Sequence, residues 1–296
     1  MSRILCIGDA ALDVIVKMQT ELHIGSDTAS HISMHGGGAA ANTATWLAQL
    51  GHSVYFSCRI GDDAAGRAIA AEFDSRGIEY RREFLSNEKT GVVVVLVNNK
   101  GERTMFPDSG ANSGIGEIDL PSLKNFDAAY LSGYSLFNPL STSGVEAMIS
   151  RIKEAEIPLI FDPASVGTMT VFGHERVLQL LPLMDVAIMN EDEARFLAKS
   201  DSLENTLQIL TSLIPVVVVK TGSKGARAQM RAGDVVTSQT EAIAAIDTTG
   251  AGDAFAAGFI PQWLHSHDLL TSMNAGNDLA RKCVAIIGAR PSVNPQ

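Results

Sequence analysis

Short aliphatic runs without strict alternation recur along this chain, and longer segments with the spacing of amphipathic helices separate them. Such runs are typical of strands that are buried on both faces. They occupy residues 4–8, 128–132, 157–162, 185–190 and 215–220, and helical spacing occurs over residues 145–156, 192–199 and 203–213. Because strands and helices alternate in this way, the sequence predicts an α/β fold with a mostly parallel central sheet flanked by helices.

The composition limits the class of protein. With 46% hydrophobic and 19% charged residues over 296 positions, the chain can bury a large core. We expect residues 1–296 to form one domain that carries a small insertion. The formal charge is -10 and no block of Lys and Arg occurs, so nucleic acid is not expected as a partner.

Cysteine usage and hydropathy bear on the location of the protein. The three cysteines are too few and too scattered for a disulfide framework, which fits a reducing cytoplasm. The longest aliphatic run, residues 92–97, is far shorter than the roughly 18 residues of a membrane helix. The apolar run at residues 4–8 is too short for a signal peptide. We therefore expect a cytoplasmic protein without a membrane segment.

Two stretches interrupt the alternation of strands and helices. Residues 13–17 and 90–106 have strand patterns with no helix between them, and the second stretch turns at Asn98-Asn99-Lys100-Gly101. We interpret them as a small β-sheet lid formed near residues 13–34 and 88–110, although a simple edge hairpin fits the pattern equally well. A lid excludes water from a reacting phosphate. Its exposed face also predicts a homodimer formed through the lid.

Residues 244–264 contain a Thr-Thr-Gly-Ala-Gly turn between an apolar run and a strongly helical sequence. The small residues Gly250, Ala251 and Gly252 allow a ligand to approach the backbone, and the free N–H groups of a helix start attract anions. Asp253 adds a carboxylate at the same place. Such a carboxylate suits phosphoryl transfer, in which it takes a proton from the acceptor hydroxyl. The alternative is that Asp253 is only the N-cap of the helix.

The segment DTTGAGDAFAAGF, residues 247–259, closely resembles the C-terminal signature of the ribokinase-like (PfkB) carbohydrate kinases. The resemblance implies a ribokinase-like three-layer fold and an ATP-dependent kinase that phosphorylates a primary hydroxyl of a small sugar, a pentose or a hexose. It also implies that Asp253 is the catalytic base and that Gly250, Ala251 and Gly252 form the anion hole. An adenosine or pseudouridine type of nucleoside kinase and a non-catalytic sugar-binding regulator are the alternatives.

Residues 35–51, HGGGAAANTATWLAQLG, resemble the N-terminal signature of the same family. The resemblance implies that Gly37, Gly38, Asn42 and Asp13 bind the acceptor together with Asp253. Residues 36–41 also satisfy the GxGxxA form of a dinucleotide fingerprint. The preceding residues 30–35, SHISMH, are too polar for the buried strand that such a fingerprint requires.

The nucleotide and cation sites rest on shorter motifs. Asn190 and Glu193 match the family's NxxE motif, which holds Mg²⁺ indirectly, although a helix capping pair has the same spacing. No GxxxxGK[ST] motif occurs in the sequence. The resemblance assigns nucleotide contacts to Asn190, Thr221, Gly222, Ser223, Gly225, Gly252 and Asn277. It assigns a K⁺ site to Asp247, Thr249, Cys283, Ile286, Gly288 and Ser292.

Overall fold

The structure is a computed structural model that describes residues 1–291. Its strands are β1 (Arg3–Ile7), β2 (Ala11–Met18), β3 (Ser30–Gly37), β4 (Ser53–Ser57), β5 (Glu79–Tyr80), β6 (Gly91–Val97), β7 (Arg103–Asp108), β8 (Ala128–Ser132), β9 (Leu159–Asp162), β10 (Val186–Asn190), β11 (Val216–Lys220), β12 (Ala226–Met230) and β13 (Val235–Ser238). Its helices are α1 (Ala39–Gln49), α2 (Ala64–Ser75), α3 (Gly133–Phe137), α4 (Thr142–Glu154), α5 (Val166–Phe172), α6 (His174–Leu180), α7 (Glu191–Ala198), α8 (Leu203–Leu213), α9 (Ala251–Ser266) and α10 (Leu269–Val284).

The large sheet has nine strands in the order β13-β12-β11-β10-β9-β8-β1-β4-β5. The pairs from β11 to β5 are parallel, and β12 and β13 add antiparallel strands at one edge. Each of the five aliphatic runs is a parallel strand of this sheet, and α8 covers the predicted residues 203–213. The predicted α/β fold with a mostly parallel sheet is therefore confirmed.

Both faces of the large sheet are covered, which explains why its strands lack alternation. In β1, Ile4 and Cys6 belong to one hydrophobic core, while Leu5 and Ile7 belong to a second core on the opposite face. Helices α1, α2, α9 and α10 contribute to the first core, and α3 to α8 contribute to the second. Successive strand residues point to opposite faces, so a strand in the middle layer is apolar throughout.

A second sheet of four strands, in the order β3-β2-β6-β7, is built from the two interrupting stretches. The predicted strands at residues 13–17 and 90–106 are confirmed, and Gly101 N–H donates to Asn98 O at 3.0 Å in the predicted turn. The sequence pattern did not indicate β3, because most of its residues are polar or glycine and its two apolar side chains, Ile32 and Met34, are exposed. Its backbone pairs with β2 along eight residues, so strand formation does not depend on burial.

The carboxyl ends of the parallel strands share one edge of the large sheet. Strand β1 lies between β4 and β8, and the chain runs outward from β1 in opposite directions on the two sides. In open α/β sheets a crevice forms at such a point. Every helix within residues 1–291 is too short or too polar to span a bilayer.

Candidate active site

A cavity of about 1680 Å³ lies between the small sheet and the edge of the large sheet that is formed by the carboxyl ends of its parallel strands. The predicted site residues in its lining are Asp13, Gly38, Asn42, Asn190, Glu193, Gly222, Ser223, Gly225, Asp247, Thr249, Gly250, Ala251, Gly252, Asp253 and Asn277. The lining does not include Gly37, Thr221, Cys283, Ile286 and Gly288, and Ser292 lies outside the described residues. One cavity thus brings together side chains that are up to 264 positions apart, from Asp13 to Asn277.

Helix α9 begins at the predicted turn, with its N-terminus in the cavity. Gly250 is the N-cap with a φ of 76°, and no side chain caps the helix start. A Cβ at Gly250 would lie 2.7 Å from the Cα and 2.8 Å from the carbonyl oxygen of Ala289. Only glycine fits both this backbone conformation and this close approach. The Ala251 N–H donates to Thr248 O at 3.3 Å, and the N–H groups of Gly252 and Asp253 are available to an anion.

Asp253 lies in the first turn of α9, so the interpretation as an N-cap is wrong. Its Oδ2 accepts a hydrogen bond of 2.8 Å from Asn42 Nδ2, and its side chain lines the cavity. Helix α1, which carries Asn42, packs on α9. The carboxylate is thus held at one point and directed into the cavity, which is the arrangement that a general base requires.

The surroundings of Asp253 shift its proton affinity. Burial raises the pKa of this carboxyl to about 7, and the nearby Asp162 carboxylate adds to the rise. The hydrogen bond from Asn42 and the charges of Lys220 and Arg290 oppose it. A base with a pKa near neutrality can both accept a proton from a hydroxyl and be charged at physiological pH.

The predicted acceptor residues other than Asp253 lie on β2, at the end of β3 and at the start of α1. A Cβ at Gly37 would lie 2.0 Å from Asp13 Oδ1, so the Asp13 carboxylate rests against the glycine backbone. Gly38, with a φ of 94°, is the N-cap of α1, and a Cβ there would lie 2.1 Å from Asp9 O. Burial raises the pKa of Asp13 to about 6, although Arg290 and His35 oppose the shift. A carboxylate that accepts hydrogen bonds thus lies beside glycine backbone that leaves room for a ligand, as the binding of sugar hydroxyls requires.

Arg290 is a residue of this side that the sequence did not indicate. Its Nε donates to Asn42 Oδ1 at 2.9 Å, one terminal nitrogen donates to Gly37 O at 2.6 Å, and the other pairs with Glu72. The bond to Oδ1 fixes the orientation of the Asn42 amide, so its NH₂ group faces Asp253. A lone arginine in a loop has no pattern that predicts such a role.

Asn190 and Glu193 form the capping box that was the alternative to a cation site. Asn190 Oδ1 accepts from Glu193 N–H at 2.8 Å, and Glu193 Oε2 accepts from Asn190 N–H at 2.8 Å. Both side chains also line the cavity. Burial raises the pKa of Glu193 to about 7, and the neighbouring Asp162 carboxylate adds to the rise. The capping role therefore does not exclude a role in cation binding. A cation at this place would reduce the repulsion between the Glu193 and Asp162 carboxylates.

The carboxylates of Asp162 and Glu193 are candidates for holding the predicted Mg²⁺ ion. Residues 1–291 contain no group of three His, Cys, Asp or Glu side chains close enough to enclose a metal ion. Mg²⁺ keeps several waters and binds through one or two carboxylates plus substrate phosphates. Asp162 and Glu193 fit that mode. The sequence did not indicate Asp162, because a carboxylate that ends a strand is common in turns as well.

The turn after β11 and Asn277 form the predicted nucleotide side. Gly225 has a φ of 99°, and a Cβ there would lie 2.1 Å from Ser238 O, whereas Gly222 faces open space. Asn277 is buried in the lining, where its Nδ2 donates to Ser238 Oγ at 2.8 Å. The turn therefore leaves backbone exposed to the cavity beside a polar wall.

The described residues assigned to K⁺ lie close together. Gly288 N–H donates to Asp247 Oδ2 at 3.1 Å, and Cys283 Sγ lies 3.4 Å from Thr249 O. Ile286 N–H donates to Cys283 O at 3.2 Å. The structure thus brings Asp247, Thr249, Cys283, Ile286 and Gly288 into one cluster.

Arg103 of the small sheet reaches into this cluster. It donates to Asp247 Oδ1 at 2.6 Å and also contacts Thr249 Oγ1. Although burial opposes the shift, hydrogen bonds from Arg103, Thr249 and Gly288 lower the pKa of Asp247 to about 2. A guanidinium balances this carboxylate in the present arrangement, so a K⁺ ion at Asp247 would have to compete with Arg103. Dependence on K⁺ stays a prediction, which turnover in potassium and sodium salts would check.

Comparisons with known proteins agree with this geometry. The sequence matches the family model described as "pfkB family carbohydrate kinase" over residues 1–296. It is 31% identical over 270 residues to a fructokinase from Vibrio alginolyticus, covering 88% of this chain and 83% of the relative. The fold is similar to adenosine kinase from Sinorhizobium meliloti, with a TM-score of 0.89, 21% identity, and coverage of 99% and 96%. It is also similar to fructokinase from Vibrio cholerae with fructose, ADP and calcium bound, with a TM-score of 0.82, 27% identity, and coverage of 98% and 94%.

Proposed function

The chain belongs to the pfkB family of carbohydrate kinases, and we propose that it transfers the γ-phosphoryl group of ATP to a primary hydroxyl of a small sugar, a pentose or a hexose. It is an ATP-dependent phosphotransferase with an alcohol group as acceptor. The position of Asp253 carries the proposal. A carboxylate with a pKa near 7 shares the first turn of an uncapped helix, and its hydrogen-bond partner Asn42 belongs to the acceptor side.

In the proposed reaction, Asp253 accepts the proton of the acceptor hydroxyl while the acceptor oxygen forms its bond to the γ-phosphorus. The bond from that phosphorus to the bridging oxygen of ADP breaks. The N–H groups of residues 250–253 stabilise the charge on the transferring phosphoryl oxygens. Asp13, Asn42 and the backbone at Gly37 and Gly38 orient the sugar, so the reacting hydroxyl faces Asp253.

Asp162 and Glu193 are the residues proposed to hold Mg²⁺ through its waters. When bound, Mg²⁺ neutralises charge on the nucleotide phosphates. Gly222, Ser223, Gly225 and Asn277 are proposed to contact the nucleotide, and their support is their position in the cavity wall. Thr221 is proposed to belong to the same nucleotide turn, which its N–H closes by donating to Gly225 O at 2.8 Å.

The acceptor is identified by measuring ADP release with a panel of pentoses, hexoses and nucleosides. Turnover with one class of sugar is the expected result. A nucleoside is the next candidate, because the aromatic ring of Tyr134 lines the same cavity and is 39% exposed, so it offers a surface for stacking on a base. Sugar binding without ADP release for any compound would contradict the proposal and favour a non-catalytic regulator.

The rate should depend on pH through Asp253. Its carboxylate must be deprotonated to act as a base, and burial raises its pKa to about 7. We therefore expect kcat/KM to rise with pH and level off above about 7, falling about tenfold per unit below that value. Asn42→Ala removes a hydrogen bond that favours the charged form, so it should move this limb to higher pH. A profile that is flat between pH 5.5 and 8 would contradict the assignment.

We also propose that the small sheet is a lid, inserted into one domain, and that two lids form a homodimer. Side chains at odd positions of β2 and β6 line the cavity. The row Met34, Val14, Val94 and Phe106 therefore runs across the other face, and Met34 and Phe106 are 65% and 54% exposed. An apolar row of this kind is typical of an interface.

We expect the protein to elute in gel filtration at twice its monomer mass of 31.4 kDa. Val94→Glu should convert it to the monomer, because two carboxylates would meet in an apolar interface. Ile118→Glu is the matched control, since Ile118 is 75% exposed but lies outside both sheets. Elution of the unmodified protein as a monomer would contradict the dimer.

A cytoplasmic location is proposed from the three free, buried cysteines.

A further inference from the structure

Lys220, the last residue of β11, has no role in the reaction described so far. Its Nζ pairs with Asp162 Oδ2 at 2.8 Å, and the two side chains are only 15% and 7% exposed. The pairing of β10 with β11 places Lys220 opposite Asn190. The ammonium group therefore lies between the end of β9 and the capping box of Asn190 and Glu193, within the cavity wall.

The same ammonium group lies beside the first turn of α9. A Cβ at Gly252 would lie 3.1 Å from Lys220 Nζ, and the next nearest atom is the neighbouring carbon of that lysine. The N–H groups of the turn and the ammonium thus border one small volume, together with Asp253. Two independent sources of positive potential meet where the proposed reaction places the transferring phosphoryl group.

More negative charge surrounds Lys220 than its ion pair with Asp162 alone would supply. Three carboxylates, those of Asp162, Glu193 and Asp253, act on this one ammonium group. Lys220 lines the cavity and its Nζ lies 2.8 Å from Asp162 Oδ2, so the ammonium group is placed to stabilise negative charge that develops there.

We propose that Lys220 is a catalytic residue whose ammonium group contacts the γ-phosphoryl group of the bound nucleotide and stabilises it during transfer. The proposal rests on the proposed kinase function. Lys220 exchanges Asp162 for the phosphoryl oxygens when the nucleotide binds, which leaves the Asp162 carboxylate free toward Mg²⁺. Lys220 keeps its proton throughout, because the acceptor proton goes to Asp253. An ammonium group is a compact phosphate ligand in other phosphoryl-transfer sites.

The test compares the affinities of Lys220→Met for ADP and for the non-hydrolysable ATP analogue AMP-PNP, both with Mg²⁺, by calorimetry. A charged hydrogen bond to the γ-phosphate predicts a loss of about 10- to 100-fold for AMP-PNP. ADP lacks that phosphate, so its affinity should change by less than about threefold. Equal losses for the two nucleotides would overturn the proposal, because they would mean that Lys220 only holds Asp162 in place.

Two variants support this comparison. Lys153→Met is the matched control, since Lys153 Nζ pairs with Asp185 Oδ2 at 2.9 Å away from the cavity, and it should change neither affinity. If Lys220→Met does not fold because Asp162 loses its partner, Lys220→Gln keeps an N–H donor toward Asp162 without the charge and allows the same comparison. The AMP-PNP loss should persist in that variant.

Failure of this proposal and failure of the kinase function give different results. If the kinase function is wrong, the unmodified protein releases no ADP with any acceptor. If only the role of Lys220 is wrong, the unmodified protein is active and Lys220→Met lowers the affinities for ADP and AMP-PNP by the same factor. Lys220→Arg keeps the charge and should recover part of the AMP-PNP affinity, which a purely apolar packing role would not predict.

Discussion

Asp253→Asn should lower kcat by about 10²- to 10⁴-fold, because an amide cannot accept the proton of the acceptor hydroxyl. The variant should fold normally. Burial raises the pKa of Asp253 from 3.8 to about 7, so the folded protein loses stability as the pH rises between these values, and the full cost is present above pH 7. The neutral amide removes this cost, and we expect a melting temperature at pH 8 that is equal to or higher than that of the unmodified protein.

The control for this variant is Asp268→Asn. Asp268 is a true N-cap, since its Oδ1 accepts from Thr271 N–H at 2.7 Å at the start of α10. Asparagine caps helices about as well as aspartate, so neither kcat nor stability should change much. If Asp253→Asn retained most of the turnover of the unmodified protein, the assignment of the base would be wrong.

Gly250→Ala should also reduce turnover strongly. The new Cβ would lie 2.7 Å from Ala289 Cα and 2.8 Å from Ala289 O, and both are backbone atoms that cannot move aside alone. The turn must shift, and the N–H groups of residues 250–253 would no longer converge on the phosphoryl oxygens. Loss of one such donor typically costs about 10²- to 10³-fold in kcat, and we expect a loss in this range.

Gly51→Ala separates this effect from backbone strain. Gly51 has a φ of 84°, close to the 76° of Gly250, but a Cβ there would meet no atom within 4 Å. Both variants should lose stability of about 1–2 kcal/mol from the left-handed conformation. Only Gly250→Ala should lose activity. Equal kcat values for the two variants would show that the geometry of the turn does not matter for transfer.

The sequence predicted the fold where burial produces a pattern. The runs that became β8 and β11 are apolar because both faces of the sheet are covered, and α8 has the spacing of a helix with one buried face. Strand β3 was missed for the opposite reason. Its side chains are exposed, so only its backbone pairing with β2 makes it a strand, and backbone pairing does not show in the sequence.

The candidate site was predictable where a motif is local. The turn at Gly250 and the carboxylate of Asp253 belong to one helix start, so their proximity follows from adjacent residues. The contacts of Asp162 with Lys220 and of Arg290 with Asn42 join residues that are 58 and 248 positions apart. The folded topology determines these pairs. In one sequence an isolated Asp, Lys or Arg at the end of a strand or in a loop carries no signal that names its partner.

The two carboxylates proposed to engage the acceptor belong to different layers of the molecule, Asp13 to the four-stranded sheet and Asp253 to helix α9. An acceptor that binds to both is therefore oriented from two sides, whereas a water molecule beside Asp253 alone is not. Orientation, rather than the base itself, then favours transfer to a sugar over hydrolysis of the donor.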